Sequence, residues 1–294
     1  MAKEVGRGGA FKEKGLLRTY FAELVGTFIL ILFGDGAVVA AVITGHPSYE
    51  WIMVLWGVGV MLAVYLVGGI SGAHLNPFVT IALAVGKRHK WRDVIPYIIV
   101  QVLGAYLAAA AIWGFYGTLI SQIDPPGTTL YANVALAFFA NYPNPAFYPQ
   151  YWPANLLIPG TAGAGTMVAM VDTVFPMWMG AFAEGFFTFV LLLVVVGVTD
   201  ARNTAVGKYM GGPLIGLGYV TCFLIMEAQI TQGMINWARS IGPMLFLLTL
   251  GYTGGVFNYR GQYFWVFGIP GLIGAILAVL FWDNVLAPHW KTKM

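Results

Sequence analysis

Long apolar stretches dominate this chain, and short polar connections separate them. Six stretches are long enough to cross about 30 Å of hydrocarbon as helices. They cover residues 19–44, 51–70, 94–115, 177–199, 211–230 and 262–286. Two shorter apolar segments, 76–86 and 236–250, each begin at an asparagine and are too short to span. The pattern predicts an all-α membrane protein with six transmembrane helices and two half-helices that enter the membrane without crossing it.

Composition agrees with this fold class. Of the 294 residues, 59% are hydrophobic and only 9% are charged, whereas a soluble domain carries roughly one quarter charged residues. The mean hydropathy is +0.77. The single Cys222 excludes an intramolecular disulfide. The net charge of +3 is accounted for by the topology below, so we do not expect nucleic acid as a partner.

Basic residues predict the orientation in the membrane. With six spans, the N-terminal tail, the segment after the first half-helix, the fourth connection and the C-terminus all fall on one side. Their basic residues are Lys3, Arg7, Lys12, Lys14, Arg18, Lys87, Arg88, Lys90, Arg92, Arg202, Lys208, Lys291 and Lys293. The positive-inside bias makes this side cytoplasmic. We therefore expect a multi-pass protein of the plasma or inner membrane with both termini in the cytoplasm and no cleavable signal peptide.

The chain also repeats itself. Ala-Glu followed by Thr-Phe at 22–28 recurs at 183–189, and the asparagines that open the half-helices recur at a similar offset. Each half holds three spans, an odd number, so the halves are inserted with opposite orientations. The repeat predicts a single domain over 1–294 with a pathway on its axis. Its parts are repeat one at about 17–115, an outer connection at 116–176 and repeat two at about 177–287.

Asn76 and Asn236 are good N-cap residues for the two half-helices. Each can satisfy orphan backbone donors while directing its amide NH2 into a lumen. The positive ends of two half-helices that meet at the midplane would exclude cations and protons. The alternative is ordinary capping in a surface loop.

These motifs together resemble the aquaporin superfamily, in particular its glycerol-facilitator branch. The residues that carry the resemblance are the two Ala-Glu-x-x-x-Thr-Phe motifs, Ser71 to Thr80, Asn236 to Arg239 with Gly242-Pro243, and Tyr142-Pro143-Asn144-Pro145. The resemblance covers nearly the whole chain. It implies six tilted spans, half-helices that meet at mid-membrane, one pore per subunit and a homotetramer.

The chain departs from the usual Asn-Pro-Ala triplet in both halves. The first triplet ends in Phe78 and the second contains Trp237, whereas Pro77 and Ala238 are kept. In the family fold the triplets stack across the pseudo-twofold axis. Because both members of one pair change together, we expect Phe78 and Trp237 to form a repacked junction at the pore midplane.

The predicted outer filter is also altered. Arg239 lies about one helical turn beyond the second asparagine, and the resemblance implies that Trp56 faces it; an interfacial anchor is the alternative for Trp56. The position that holds an aromatic in typical glycerol facilitators is Gly233. The fifth-span position, usually glycine, falls on Phe223 or Leu224. Bulk is therefore predicted to have moved from the loop to the helix, which would change the preferred solute.

Four acidic residues fall within predicted spans, where ionisable side chains are expensive and usually have a partner. The resemblance implies that Glu23 and Glu184 accept hydrogen bonds from the re-entrant backbone; a proton relay is the alternative. Asp35 and Glu227 have either a packing role or a role as internal partners for a polar solute or a re-entrant segment. By resemblance His74 lines the inner half of the pore, where it can offer a hydrogen bond. Gating of the channel by pH through this histidine is the alternative role.

No motif indicates an enzyme, a cofactor or a metal site. The sequence favours a passive channel for small polar solutes. The solute is either a glycerol-like polyol or a small hydroxy monocarboxylic acid such as lactate, which would cross as the neutral acid or as an anion escorted by Arg239. The alternatives are a channel mainly for water, an ion-coupled secondary transporter and a membrane-junction protein.

Overall fold

The structure, a computed structural model, is helical through nearly all of its described residues, and no β-strand occurs among them. The described residues are 10–44, 49–123, 125–126, 138, 176–203, 205–207, 209–221, 226–227, 230–231, 233–252, 257 and 263–289. The predicted filter positions Phe223 and Leu224 lie outside them, as does Tyr142–Pro145.

The first half of the chain forms three long helices and one half-helix. These are α1 (Ala10–Thr44), α2 (Tyr49–Ser71), the half-helix α3 (Pro77–Val85) and α4 (Trp91–Ile123). Helix α3 begins at proline, whose missing N–H is no loss at the first helical position. Helix α4 continues to Ile123, into the segment that the sequence assigns to the outer connection.

The second half repeats this order. It contains α5 (Met177–Thr199), a short turn α6 (Gly211–Pro213) that continues as a π-helix (Leu214–Val220), the half-helix α7 (Trp237–Thr249) and α8 (Tyr263–Phe281). The predicted fifth span, 211–230, is therefore described only in part, and it begins with α6.

Five helices in the described part are long and apolar enough to cross a membrane. The corresponding stretches are Gly15–Ala41, Glu50–Ser71, Trp91–Gln122, Met177–Thr199 and Gly268–His289. The last of them includes two short extensions of α8, a π-helix (Trp282–Leu286) and a 3-10 helix (Ala287–His289). Both half-helices are too short to span, in agreement with the sequence pattern.

Equivalent helix pairs pack through glycine in the two halves. A Cβ atom on Gly104 of α4 would collide with the backbone oxygen of Leu24 in α1. A Cβ atom on Gly274 of α8 would collide with the backbone oxygen of Gly185 in α5. Close backbone approach at small residues is typical of helix packing in membranes. The matching contacts show that α1 with α4 and α5 with α8 pack in the same way.

Charged residues tie the ends of α3, α5 and α8 together. Arg88, just after α3, forms a bidentate pair with Asp283 at 2.5 and 2.7 Å. Asp200, which ends α5, accepts hydrogen bonds from Arg202 and, at 2.8 Å, from the Trp282 indole. Hydrogen bonds from Arg202 and Trp282 hold the pKa of Asp200 well below its ordinary value. This network, called here the interhelix charge network, fixes the end of a half-helix to two spans.

Candidate functional site

Two re-entrant segments, residues 72–76 before α3 and residues 233–236 before α7, meet inside the protein. Asn76 caps α3 by accepting a hydrogen bond from the Phe78 N–H at 2.9 Å. Asn236 caps α7 by accepting from the Ala238 N–H at 2.9 Å and the Arg239 N–H at 3.4 Å. Each asparagine oxygen therefore satisfies donors at the start of its own half-helix, as N-cap residues do.

The amide nitrogens of the same asparagines join the two segments reciprocally. Asn76 Nδ2 donates to the Ile235 carbonyl at 2.7 Å, and Asn236 Nδ2 donates to the Leu75 carbonyl at 2.9 Å. An amide nitrogen carries two hydrogens. Each asparagine thus keeps one further donor beyond the bond that holds the opposite segment.

Backbone in the left-handed region shapes both segments. Ala73 (φ 49°), Leu75 (φ 57°) and Ile235 (φ 23°) adopt it without being glycine, beside Gly72 (φ 90°) and Gly233 (φ 65°). Such conformations cost roughly 1–3 kcal/mol each and persist only where surrounding contacts enforce them. Any other residue at Gly233 would have to adopt this unfavourable backbone conformation. The loop itself therefore favours glycine here, which leaves this part of the cavity wall without a side chain.

Glu23, on α1, holds the first re-entrant segment in this conformation. Its fully buried carboxylate accepts from the N–H groups of His74 at 2.9 Å and Leu75 at 2.8 Å. It also accepts from Ser71 Oγ at 2.6 Å and Gln101 Nε2 at 2.8 Å. The sequence analysis missed Gln101, although an amide within an otherwise apolar third span was a usable signal.

Glu184, on α5, holds the second re-entrant segment in the same way. Its buried carboxylate accepts from the N–H groups of Met234 at 2.8 Å and Ile235 at 2.9 Å. Thr231 accepts from the Gly233 N–H at 3.2 Å, much as Ser71 accepts from the first segment. The sequence analysis also missed Thr231, because a threonine beside a re-entrant segment has no distinctive spacing.

Arg239 lies buried between an aromatic ring and an acid. Its guanidinium carbon is 5.3 Å from the centroid of the Trp56 ring, a cation–π distance. Its Nη2 is 3.6 Å from Asp35 Oδ1, and both side chains are buried. The ring of Trp56 has room because a Cβ atom on Gly34 would overlap it. The structure thus brings the first-span acid to the arginine, a pairing that the sequence did not identify.

Glu227 lies beside the second re-entrant segment, and His74 belongs to the first. Glu227 is fully buried, and Thr231 Oγ1 donates to it at 3.4 Å. His74 Nδ1 is 3.2 Å from Thr80 Oγ1, and its ring packs 4.7 Å from His89 and 5.0 Å from Tyr97, measured between centroids. Burial lowers the pKa of His89, which favours the neutral ring there.

Phe78 and Trp237, the two departures from the usual triplet, contact each other. Their ring centroids are 5.0 Å apart at an interplanar angle of 52°. Two glycines on one face of α8 make room for them: a Cβ on Gly271 would lie 2.8 Å from Phe78, and one on Gly268 would overlap Trp237. Pro77 and Ala238, the retained pair, are also buried. The sequence did not predict the role of Gly268 and Gly271.

A cavity of about 120 Å³ runs through this assembly. Its lining extends from Thr199 and His74, past both asparagines, to Gly233, Arg239 and Trp56. Apolar side chains form much of the wall, among them Leu30, Val60, Val64, Leu191 and Val195. The long helices therefore contribute mostly apolar wall, and the polar side chains and backbone of the lining come from the re-entrant segments, Arg239 and Thr199.

Over residues 10–282 the chain matches the family described as Major intrinsic protein. The chain belongs to this family. It is 32% identical over 276 residues to Aquaglyceroporin-2 of Rhizophagus irregularis, covering 93% of this chain and 78% of that protein. It is also 32% identical over 276 residues to the Glycerol uptake facilitator protein of Escherichia coli (strain K12), covering 91% of this chain and 88% of that protein.

The fold agrees with this membership. The solved aquaglyceroporin from Plasmodium falciparum superposes with a TM-score of 0.75 at 23% sequence identity, covering 93% of this chain and 98% of that chain. The predicted fold class, six spans with two half-helices in an inverted repeat, is confirmed. As a member of the major intrinsic protein family, the chain is a multi-pass membrane protein that forms a channel for small solutes.

Proposed function

We propose that the protein is a passive channel for small, uncharged polar solutes, namely glycerol-like polyols and the neutral form of a three-carbon hydroxy acid such as lactic acid. The observation that carries this proposal is the buried group formed by Trp56, Arg239 and Asp35 at one end of the lumen. Trp56 offers an apolar face to a carbon chain, and Arg239 offers donors to hydroxyl or carbonyl oxygens. The relatives named as an aquaglyceroporin and as a glycerol uptake facilitator support the polyol.

The pairing of Arg239 with Asp35 bears on the charge of the solute. An acid 3.6 Å from the guanidinium offsets its positive charge within a low-dielectric wall. An anion entering the lumen therefore meets a compensated arginine, which weakens the attraction needed to offset its lost hydration. This favours passage of a hydroxy acid in neutral form over passage of its anion.

Cations and protons are excluded, in this proposal, by the paired starts of α3 and α7. Both half-helices direct their positive ends toward the middle of the lumen. Asn76 and Asn236 hold those ends in place through reciprocal bonds to Ile235 and Leu75. A cation there would lose its hydration shell next to two helix N-termini.

We further propose a homotetramer with one pore per subunit and both termini in the cytoplasm of a plasma or inner membrane. Many large apolar side chains on the long helices face outward, which suits lipid or a neighbouring subunit. They include Leu66, Ile70, Ile95, Ile99, Phe115 and Phe182. The basic inner connections support the orientation.

Flux in proteoliposomes tests the channel. Glycerol uptake should rise linearly with concentration and should not change when a protonophore is added. Saturating uptake that the protonophore abolishes would instead indicate an ion-coupled transporter. Rapid water flux without glycerol flux would indicate a channel mainly for water. Reconstituted Asn76→Asp and Asn236→Asp variants, assayed for sodium leak, would test whether the two asparagines lie where cations are excluded.

A further inference from the structure

Gly34 on α1 lies against the indole ring of Trp56 on α2. A Cβ atom on Gly34 would overlap Cδ2, Cε3 and Cζ3 of the indole. These three atoms are consecutive in the six-membered ring and nearly equidistant from the Cβ position, so that atom would lie over the face of the ring rather than beyond its edge. Since carbon atoms in contact are about 3.5–4.0 Å apart, the ring would have to move by roughly 1 Å to accept a methyl group.

Neighbouring contacts hold the backbone of α1 in place beside this ring. One turn away, α1 and α2 are already close together, because a Cβ atom on Gly59 of α2 would lie 3.1 Å from the backbone oxygen of Leu30. Asp35, the next residue on α1, pairs with Arg239 of α7 at 3.6 Å. We therefore expect the indole ring to yield to an added methyl group before the backbone does.

The ring of Trp56 separates Gly34 from the lumen. Trp56 and Arg239 both line the cavity, whereas Gly34 does not. The guanidinium carbon is 5.3 Å from the ring centroid, so the ring and the arginine border the same part of the lumen. A ring that moved away from α1 would enter this space.

We propose that Gly34 helps to determine the solute specificity of the channel. By adding no side chain, it lets the Trp56 ring sit back against α1, which keeps the lumen beside Arg239 wide enough for a polyol. Gly34 is thus a positioning residue that acts through Trp56. This role rests on the proposed function, in which solutes pass Trp56 and Arg239.

The second repeat has a side chain at the equivalent position. Val195 on α5 corresponds to Gly34 at the offset of the internal repeat. Val195 lines the cavity itself. In the first repeat, the glycine leaves this place to the ring of Trp56, which forms the apolar wall there instead.

The ratio of glycerol flux to water flux in proteoliposomes tests this role. Gly34→Ala should lower glycerol flux about tenfold and water flux much less, because a narrower lumen hinders the larger solute more. Gly36→Ala is the matched control on the same helix, since its Cβ atom would lie 3.8 Å from Ile112, an ordinary contact distance. Its flux ratio should equal that of the wild type. An unchanged ratio in folded Gly34→Ala, or a proportional loss of both fluxes, would overturn the proposal.

A smaller ring should rescue the variant. Trp56→Phe removes part of the indole, so Gly34→Ala should change the flux ratio much less in that background than in the wild type. An equal change in both backgrounds would show that Gly34 does not act through the ring, and would overturn the proposal.

Thermal unfolding in detergent tests the same packing without any solute. Gly34→Ala should melt about 2–4 °C below Gly36→Ala, which shares its gain in helix propensity, and the difference should shrink in the Trp56→Phe background. A wild-type channel that passes no glycerol would reject the proposed function. A wild-type channel that passes glycerol, while Gly34→Ala alters neither the flux ratio nor the melting temperature, would reject only the role of Gly34.

Discussion

Arg239 contacts two neighbours of different chemistry, an aromatic ring and an acid. The Trp56 ring lies 5.3 Å from the guanidinium carbon, and Asp35 lies 3.6 Å from Nη2. The ring leaves donors of the arginine available to a solute, while the acid forms an ion pair with it. We propose that together they form a wall that binds hydroxyl and carbonyl oxygens better than it attracts anions.

Removing the acid should change the charge selectivity. Asp35→Asn leaves Arg239 as a buried uncompensated charge, which typically costs about 3–5 kcal/mol. We expect a less stable channel in which lactate uptake at neutral pH rises about tenfold, a change that corresponds to only about 1.4 kcal/mol. Radiolabelled lactate uptake in proteoliposomes would measure it.

A double substitution provides the matched control for this prediction. Asp35→Asn combined with Arg239→Gln removes both charges together, so lactate uptake at neutral pH should return toward the wild-type value. An Asp35→Asn channel that is folded and still shows unchanged lactate uptake would contradict the charge argument.

At the scale of elements, the junction of the half-helices depends on α8. Phe78 on α3 and Trp237 on α7 contact each other, and Gly271 and Gly268 on α8 provide the space for their rings. The contact therefore couples three helices. The ring of Phe78 lies against Gly271 and the ring of Trp237 lies against Gly268. Each ring therefore occupies space that a side chain on α8 would otherwise fill.

Exchanging the small residue Gly271 and the large residue Phe78 for alanine should show whether these two sites are energetically coupled. Gly271→Ala places a methyl group 2.8 Å from the Phe78 ring and should destabilise the protein by overpacking. Phe78→Ala should cost about 3–5 kcal/mol through the cavity that it leaves. The double variant should recover part of the loss, with a coupling energy of about 0.5–3 kcal/mol. Thermal unfolding in detergent would measure each term, and purely additive effects would show that the two sites do not share a packing space.

Sequence and structure agree on the half-helices for a local reason. Asparagine caps, Pro77 and short apolar runs are all readable along the chain, and the helices begin one residue after each asparagine as expected. The joint change at Phe78 and Trp237 also indicated their contact. The pairing of Asp35 with Arg239 could not be predicted, since it joins side chains distant in sequence whose orientations only helix packing defines. Gly268 and Gly271 were equally hidden among the many small residues of membrane helices.

Across the whole molecule, the interhelix charge network joins the two repeats at one face of the protein. Arg88 follows the half-helix of repeat one, whereas Asp200 and Asp283 follow helices of repeat two. The pKa of Asp200 is depressed in the folded protein by hydrogen bonds from Arg202 and Trp282. Its stabilising contribution is therefore complete above the ordinary aspartate pKa of about 3.9 and is lost as the pH falls through the depressed value.

Asp200→Asn should accordingly lower the melting temperature at neutral pH by about 2–4 °C. The difference from wild type should stay constant down to about pH 5 and shrink only in stronger acid. Differential scanning fluorimetry over this range would measure it, with Asp283→Asn as a variant that keeps Asp200 in place. A difference that shrinks already between neutral pH and about pH 5 would contradict the depressed pKa.

In the proposed function, uncharged solutes pass through a lumen with a compensated arginine, and lactate uptake as a function of external pH distinguishes the neutral acid from the anion. In liposomes that contain the wild-type channel, uptake should rise about tenfold for each unit that the pH falls, because the neutral fraction of a carboxylic acid with a pKa of about 4 grows in that proportion. Glycerol uptake measured in the same liposomes should stay constant over that range. Lactate uptake that is brisk at neutral pH and independent of pH would show passage of the anion and would contradict the account.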